Sequence, residues 1–105
     1  MSAILVLTSL PDRAAAEKLA GILIERRVTA CVSILAPCRS VYRWQGVIEQ
    51  SDECPLWVKT TTDRYAALEG LIREHHPYEL PEIVALSVER GLPAYLDWVA
   101  AETRP

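Results

Sequence analysis

The groups best suited to chemistry are few: adjacent imidazoles at His75 and His76, thiols at Cys31, Cys38 and Cys54, and carboxylates at Glu49, Asp52 and Glu53. Neutral imidazole is a good ligand for copper, zinc and nickel. Neighbouring residues on a helix point about 100° apart, so the His pair cannot chelate one ion unless Pro77 unwinds the backbone there. The competing reading packs His75 on an apolar helix face and leaves His76 to start a rigid Pro-x-x-x-Pro loop. Thiolates are soft metal ligands, yet Cys38 and Cys54 would need a third partner, and no histidine lies near them in sequence. The Glu49–Asp52–Glu53 cluster reads either as a solvated edge that discourages further strand pairing or as a weak divalent-cation site where carboxylates of neighbouring copies converge. Lys59, beside Trp57 and Thr60 on a predicted strand, needs a partner; Glu82 or a bound anion would serve. Trp57 and Trp98 read as core residues.

Enzymatic signatures are missing. The chain contains no G-x-S-x-G and no H-E-x-x-H, and its four glycines, at 21, 46, 70 and 91, form no phosphate-binding loop. The expectation is a binding protein rather than an enzyme. With 105 residues and half of them hydrophobic, the chain suits one compact domain. A net charge of −3 without a basic run argues against nucleic acid and anionic membranes as partners. The apolar run Ala3 to Leu7 is short for a signal peptide and lacks a cationic start, and the odd cysteine count with no C-x-x-C suits free thiols in a reducing compartment. A soluble cytoplasmic protein is expected.

These groups are positioned by a legible order of elements. "SAILVLTS" (Ser2 to Ser9) predicts a central strand buried on both faces. Pro11 and Asp12 suit the first turn of a helix whose apolar face is Ala16, Leu19, Ala20 and Leu23, closed by Arg26 and Arg27. Ala30 to Thr62, rich in Val, Ile, Thr and aromatics, predicts a long hairpin folded at Gln45-Gly46, with bulges or exposed edges near Pro37 and Pro55. A three-residue turn centred on Gly46 would set Cys38 opposite Cys54, and a two-residue turn would offset them by one; both registers stay open. Cys31 should start an inner strand and be buried. Asp63 is the expected cap of a second helix lined by Leu68, Leu71, Ile72 and His75 and stopped by Pro77. Glu82 to Glu89 predicts a strand, and Leu92 to Glu102 a short third helix with Tyr95, Leu96 and Val99 on one side. The order β-α-β-β-α-β plus a terminal helix is the split-βαβ, ferredoxin-like α+β arrangement.

Hairpin length bears on assembly. A compact domain of this size is roughly 30–35 Å across, whereas arms of about 12–14 residues extend roughly 40–48 Å. The tip, with Tyr42, Trp44 and Gly46, should therefore project, and large aromatics on a projecting arm read as interface anchors for an identical copy. A sheet face without helices points the same way.

Several ordered stretches resemble the CutA divalent-cation tolerance family: "TSLPD" (Thr8 to Asp12), "TACVSI" (Thr29 to Ile34), "YRWQGVIEQSDE" (Tyr42 to Glu53), "WVKTT" (Trp57 to Thr61), "HHPYELPEI" (His75 to Ile83) and "YLDWV" (Tyr95 to Val99). The resemblance implies a ferredoxin-like subunit in a tight homotrimer similar to the PII signalling proteins, with a cytoplasmic role in tolerance of copper and other divalent metals. Copper-binding members place a thiol just before the "TxPD" stretch, beside the His pair; here that slot holds Thr8. Many members also carry Asn where Ser33 stands. The alternative is a PII-like trimeric sensor whose intersubunit clefts hold an anionic or nucleotide-like effector.

Overall fold

A computed structural model of the chain describes residues 2–105. Five strands and three α-helices follow one another as β1 (Ala3–Leu10), α1 (Arg13–Glu25), β2 (Cys31–Ile34), β3 (Cys38–Trp44), β4 (Val47–Thr61), α2 (Tyr65–His75), β5 (Val84–Ser87) and α3 (Pro93–Glu102). The strand order β2-β4-β1-β5, antiparallel throughout, is the ferredoxin-like sheet, with β3 pairing the free end of β4.

Helix α1 starts at Arg13, two residues later than its sequence suggests. Asp12 lies outside the helix as its N-cap, its carboxylate accepting the Ala15 amide at 2.8 Å, which satisfies a donor the helix itself leaves open. Ala16, Leu19, Ala20 and Leu23 are buried as the spacing predicts. Ala16, Leu19 and Leu23 join Leu68, Leu71 and Ile72 of α2, and both helices lie on Ile4, Val6, Leu10, Leu56 and Val58 of the sheet. Asp63 does not cap α2. It sits in a 3-10 turn (Thr62–Arg64) and forms an ion pair with Arg104 at 2.8 Å, while the Arg104 guanidinium also donates to the Thr61 hydroxyl at 2.9 Å. The C-terminal residues are thereby tied to the end of β4.

β1 is buried on one face only. Its even positions are covered by the helices and its odd positions are half-exposed, because α3 shields only part of the second face. On that open face lie Trp57, Val84 and Leu86, each 44–53% exposed, opposite Leu5 and Leu7 of β1. Trp98 is 43% exposed, so neither Trp57 nor Trp98 is a core residue. An inward-facing strand and an outward-facing one share the same Val, Ile and Trp composition, which is why a burial assignment from residue type misplaced them.

The hairpin projects. The molecule measures 45 × 26 × 23 Å, and the long axis exceeds the compact-domain width. Its tip is a two-residue turn with φ of 50° at Gln45 and 82° at Gly46, the left-handed pair that matches strand twist in tight hairpins. Trp44 therefore pairs with Val47, and Cys38 faces Glu53 instead of Cys54. Further down, Ile34 pairs with Leu56. Three residues, 35–37, then stand against two, 54–55, and this one-residue bulge contains Pro37. Cys38 is exposed, Cys54 is buried, and all three cysteines remain thiols.

The Asp63–Arg104 pair sets an acid limit on stability. Hydrogen bonds from Arg104 and then Thr61 hold the Asp63 carboxyl down to about 2 from 3.8. A carboxylate depressed in the folded state contributes above its unfolded pKa and is lost as pH falls through the folded value. Thermal melts should therefore decline between about pH 4 and pH 2, and Asp63→Asn should flatten that part of the profile.

Candidate functional site

The bulge decides which residues share the site. Without it, the even positions of β3 would fall on the opposite face from the odd positions of β2; the extra residue restores them to one side. Tyr42 faces Glu49 and Trp44 faces Val47 across the arm, on the side of β4 that also carries Glu53, Trp57 and Lys59. The loop after α2 comes back against this side. Together they enclose a cleft of about 550 Å³ walled by Tyr42, Trp44 and Tyr78, with the carboxylates of Glu49 and Glu53 on the arm and of Glu79 and Glu82 on the loop. None of its described lining residues is basic. Burial, then the neighbouring Glu53 carboxylate, pushes the Tyr78 phenol up to about 12, so it stays a neutral donor toward Glu53.

His76 secures the loop. It is 8% exposed, and its Nε2 lies 2.8 Å from the Ser9 carbonyl oxygen while Nδ1 lies 3.1 Å from the Tyr78 amide. Because the amide can only donate, Nδ1 is the acceptor and Nε2–H donates to Ser9. Both ring nitrogens are thus engaged in the fold, and the ring packs on Tyr78 at 4.8 Å between centroids. His75, by contrast, points outward at the end of α2, with its Nε2 3.8 Å from Glu74. The buried and exposed members of the pair are the reverse of the packing reading. The helix ends at His75, and His76 turns extended with φ of −80° and ψ of 133°. Pro77 enforces this by disfavouring helical backbone at the residue before it.

The other predicted residues divide. Thr8 is buried on the helix-covered face, and its hydroxyl has no hydrogen-bond partner among the described residues. Asp52 leaves the acidic cluster for the opposite face of the arm and pairs with Arg39 at 3.1 Å. Among the described residues the Lys59 ammonium forms no ion pair with Glu82 or another carboxylate; it lies 3.9 Å from the Cys31 sulfur and 5.9 Å from the centre of the Tyr95 ring. Cys31 is half-buried on an edge strand, not on an inner one. Gly46 marks the arm's tip, Tyr42 is 40% exposed, and Trp44 is half-buried by its own chain. No group of three or more His, Cys, Asp or Glu among the described residues converges tightly enough to cage a metal. Tyr78 and Glu79 were missed as site residues, although the rigid spacing of Pro77 and Pro81 signalled a fixed loop.

Burial lowers the His76 pKa from 6.5, opposed by the Ser9 hydrogen bond and the Glu53 charge. A histidine held neutral contributes stability that is complete above its unfolded pKa and lost as pH falls below it. Chemical denaturation should show a decline as pH drops below 6.5, and His76→Gln should have a flatter profile through that range.

With the geometry in place, comparison with known proteins is direct. Residues 4–102 match the family described as CutA1 divalent ion tolerance protein. The divalent-cation tolerance protein CutA of Pectobacterium atrosepticum is 39% identical over 102 residues, covering 97% of this chain and 93% of the relative. The crystal structure of CutA from Xylella fastidiosa superposes with a TM-score of 0.95 at 38% identity, covering 99% of this chain and all of that one. A structure from Archaeoglobus fulgidus, described as a periplasmic divalent cation tolerance protein, gives 0.94 at 32% identity, covering 97% and 99% of the two chains. The family match over residues 4–102 and the 39% identity to a relative across 97% of the chain place this chain in the CutA divalent-cation tolerance family.

Proposed function

We propose that the chain acts as a cytoplasmic homotrimer in divalent-cation tolerance and binds divalent cations weakly through its acidic cleft. The observation that carries this reading is the sign of the cleft: four carboxylates line it, with no basic side chain among the described lining residues. Oxygen ligands of this kind suit divalent cations, and copper stands at the top of the affinity order for a given set of ligands. Weak binding follows because the carboxylates are spread along the cleft wall instead of forming a closed cage. With both ring nitrogens of His76 engaged, the imidazole pair is a poorer first contact than Glu53 with Glu82. The same carboxylates oppose the rival reading, a sensor for an anionic or nucleotide-like effector, through like-charge repulsion.

Assembly follows from uncovered apolar surface. Trp57, Val84 and Leu86 on the open sheet face, and Val41 and Ile48 on the arm face turned away from the cleft, are 44–64% exposed in a single chain. A stable interface removes roughly 800 Å² per partner, and this surface is the natural supply. Tyr42 and Trp44 then serve mainly as cleft walls.

Light scattering should give a mass three times that of the chain, and Trp57→Glu combined with Ile48→Glu should shift it toward a single copy. Calorimetric titration with copper and manganese should give saturable binding that Glu53→Gln with Glu82→Gln weakens about tenfold or more. Binding of ATP or citrate in place of both metals would reverse the assignment of sign.

A further inference from the structure

The cleft has features that a metal ion does not use. Three aromatic side chains, Tyr42, Trp44 and Tyr78, form its walls, and its volume of about 550 Å³ falls within the roughly 300–1,000 Å³ of organic-ligand pockets. A hydrated metal ion gains little from an aromatic wall. An alkylammonium gains twice, because its charge is attracted to the ring faces and its methylenes bury apolar area against them. Glu49 and Glu53 are four residues apart on one strand, so their backbones stand roughly 13 Å from each other. That spacing is wide for one ion and suited to two ammonium groups on one flexible chain. Glu82 supplies a third carboxylate from the facing loop. Tyr78, donating to Glu53, holds that carboxylate in position without neutralising it.

We infer that the cleft is a binding site for an aliphatic di- or triamine in its ammonium form, which divalent cations displace by competing for the same carboxylates. The inference rests on the reading of the cleft as cation-selective and adds the class of organic ligand. The ammonium groups pair with Glu49 at one end and Glu53 with Glu82 at the other, and the connecting methylenes lie against Tyr42 and Trp44.

Titration of the assembled full-length protein with spermidine and with putrescine, followed by calorimetry and tryptophan fluorescence, tests this. Saturable spermidine binding is expected, weakened about tenfold or more in Glu49→Gln/Glu53→Gln and several-fold in Tyr42→Leu. Glu17→Gln/Glu25→Gln changes net charge equally on α1 and should leave binding intact. Light scattering on each variant confirms that the assembly is preserved. Loss of binding in both charge variants alike would reduce the effect to nonspecific attraction and overturn the inference. So would spermidine binding that survives Glu49→Gln/Glu53→Gln. Manganese titrated into the same samples separates the two levels: metal binding with no amine response sinks only the amine site, and silence with both sinks the cation reading as well. Manganese that lowers the apparent spermidine affinity supports the shared site.

Discussion

A single strand carries the architecture. β4 runs for 15 residues without interruption and pairs with β1 along one edge and with β2 and then β3 along the other. Its inner half is sheet core, with Leu56 and Val58 fully buried. Its outer half has only β3 beside it, and a two-stranded ribbon is marginal in water. The arm's rigidity thus depends on continuity with the core, and any residue placed on β4 inherits its position from pairing formed far away. Pro55 fits this role because its missing donor falls at the bulge, where the Pro55 carbonyl still accepts the Leu35 amide at 3.0 Å.

The bulge at residues 35–37 converts this strand into a site. Side-chain direction alternates with a period of two, so one inserted residue moves every later side chain of the ascending arm to the other face. Tyr42 and Trp44 meet Glu49 and Glu53 only because of that insertion. The same shift separates Cys38 from Cys54, leaving one exposed and one buried. A register consistent with the two-residue turn and one consistent with a cross-hairpin thiol pair were both open in sequence, and the positive φ at Gln45 as well as Gly46 selects the former.

Much of the fold was readable because its signals are local: the apolar spacing of Ala16 to Leu23, the Gln45-Gly46 turn, and the stop at Pro77. Burial was less readable because it is a property of what lies opposite. Trp57 and Trp98 have core composition, yet no element of this chain covers them completely. Asp63 looks like a cap from its position after the Thr run, but its partner, Arg104, lies 41 residues away. His75 fits the helical period, but the helix ends beneath it and His76 swings inward to Ser9. The acidic cluster was legible as a group, while its division was not. Strand alternation puts Asp52 on one face with Arg39 and leaves Glu49 and Glu53 on the other.

That division bears on how the cleft can keep so much like charge. Asp52 is neutralised by Arg39 at once, whereas Glu49, Glu53, Glu79 and Glu82 line one cavity without a basic neighbour among its described walls. Carboxylates brought together repel unless solvent or a counter-charge intervenes, and the repulsion grows as water is excluded. The loop bearing two of them is nevertheless held in place by neutral contacts: the Nε2–H of His76 on the Ser9 carbonyl of β1, the Tyr78 amide on Nδ1, and the tilted contact of the two rings. Neutral bonds spend no charge on closing the loop. They leave the negative potential of the cleft undiminished, which is the physical condition that the proposed cation site requires.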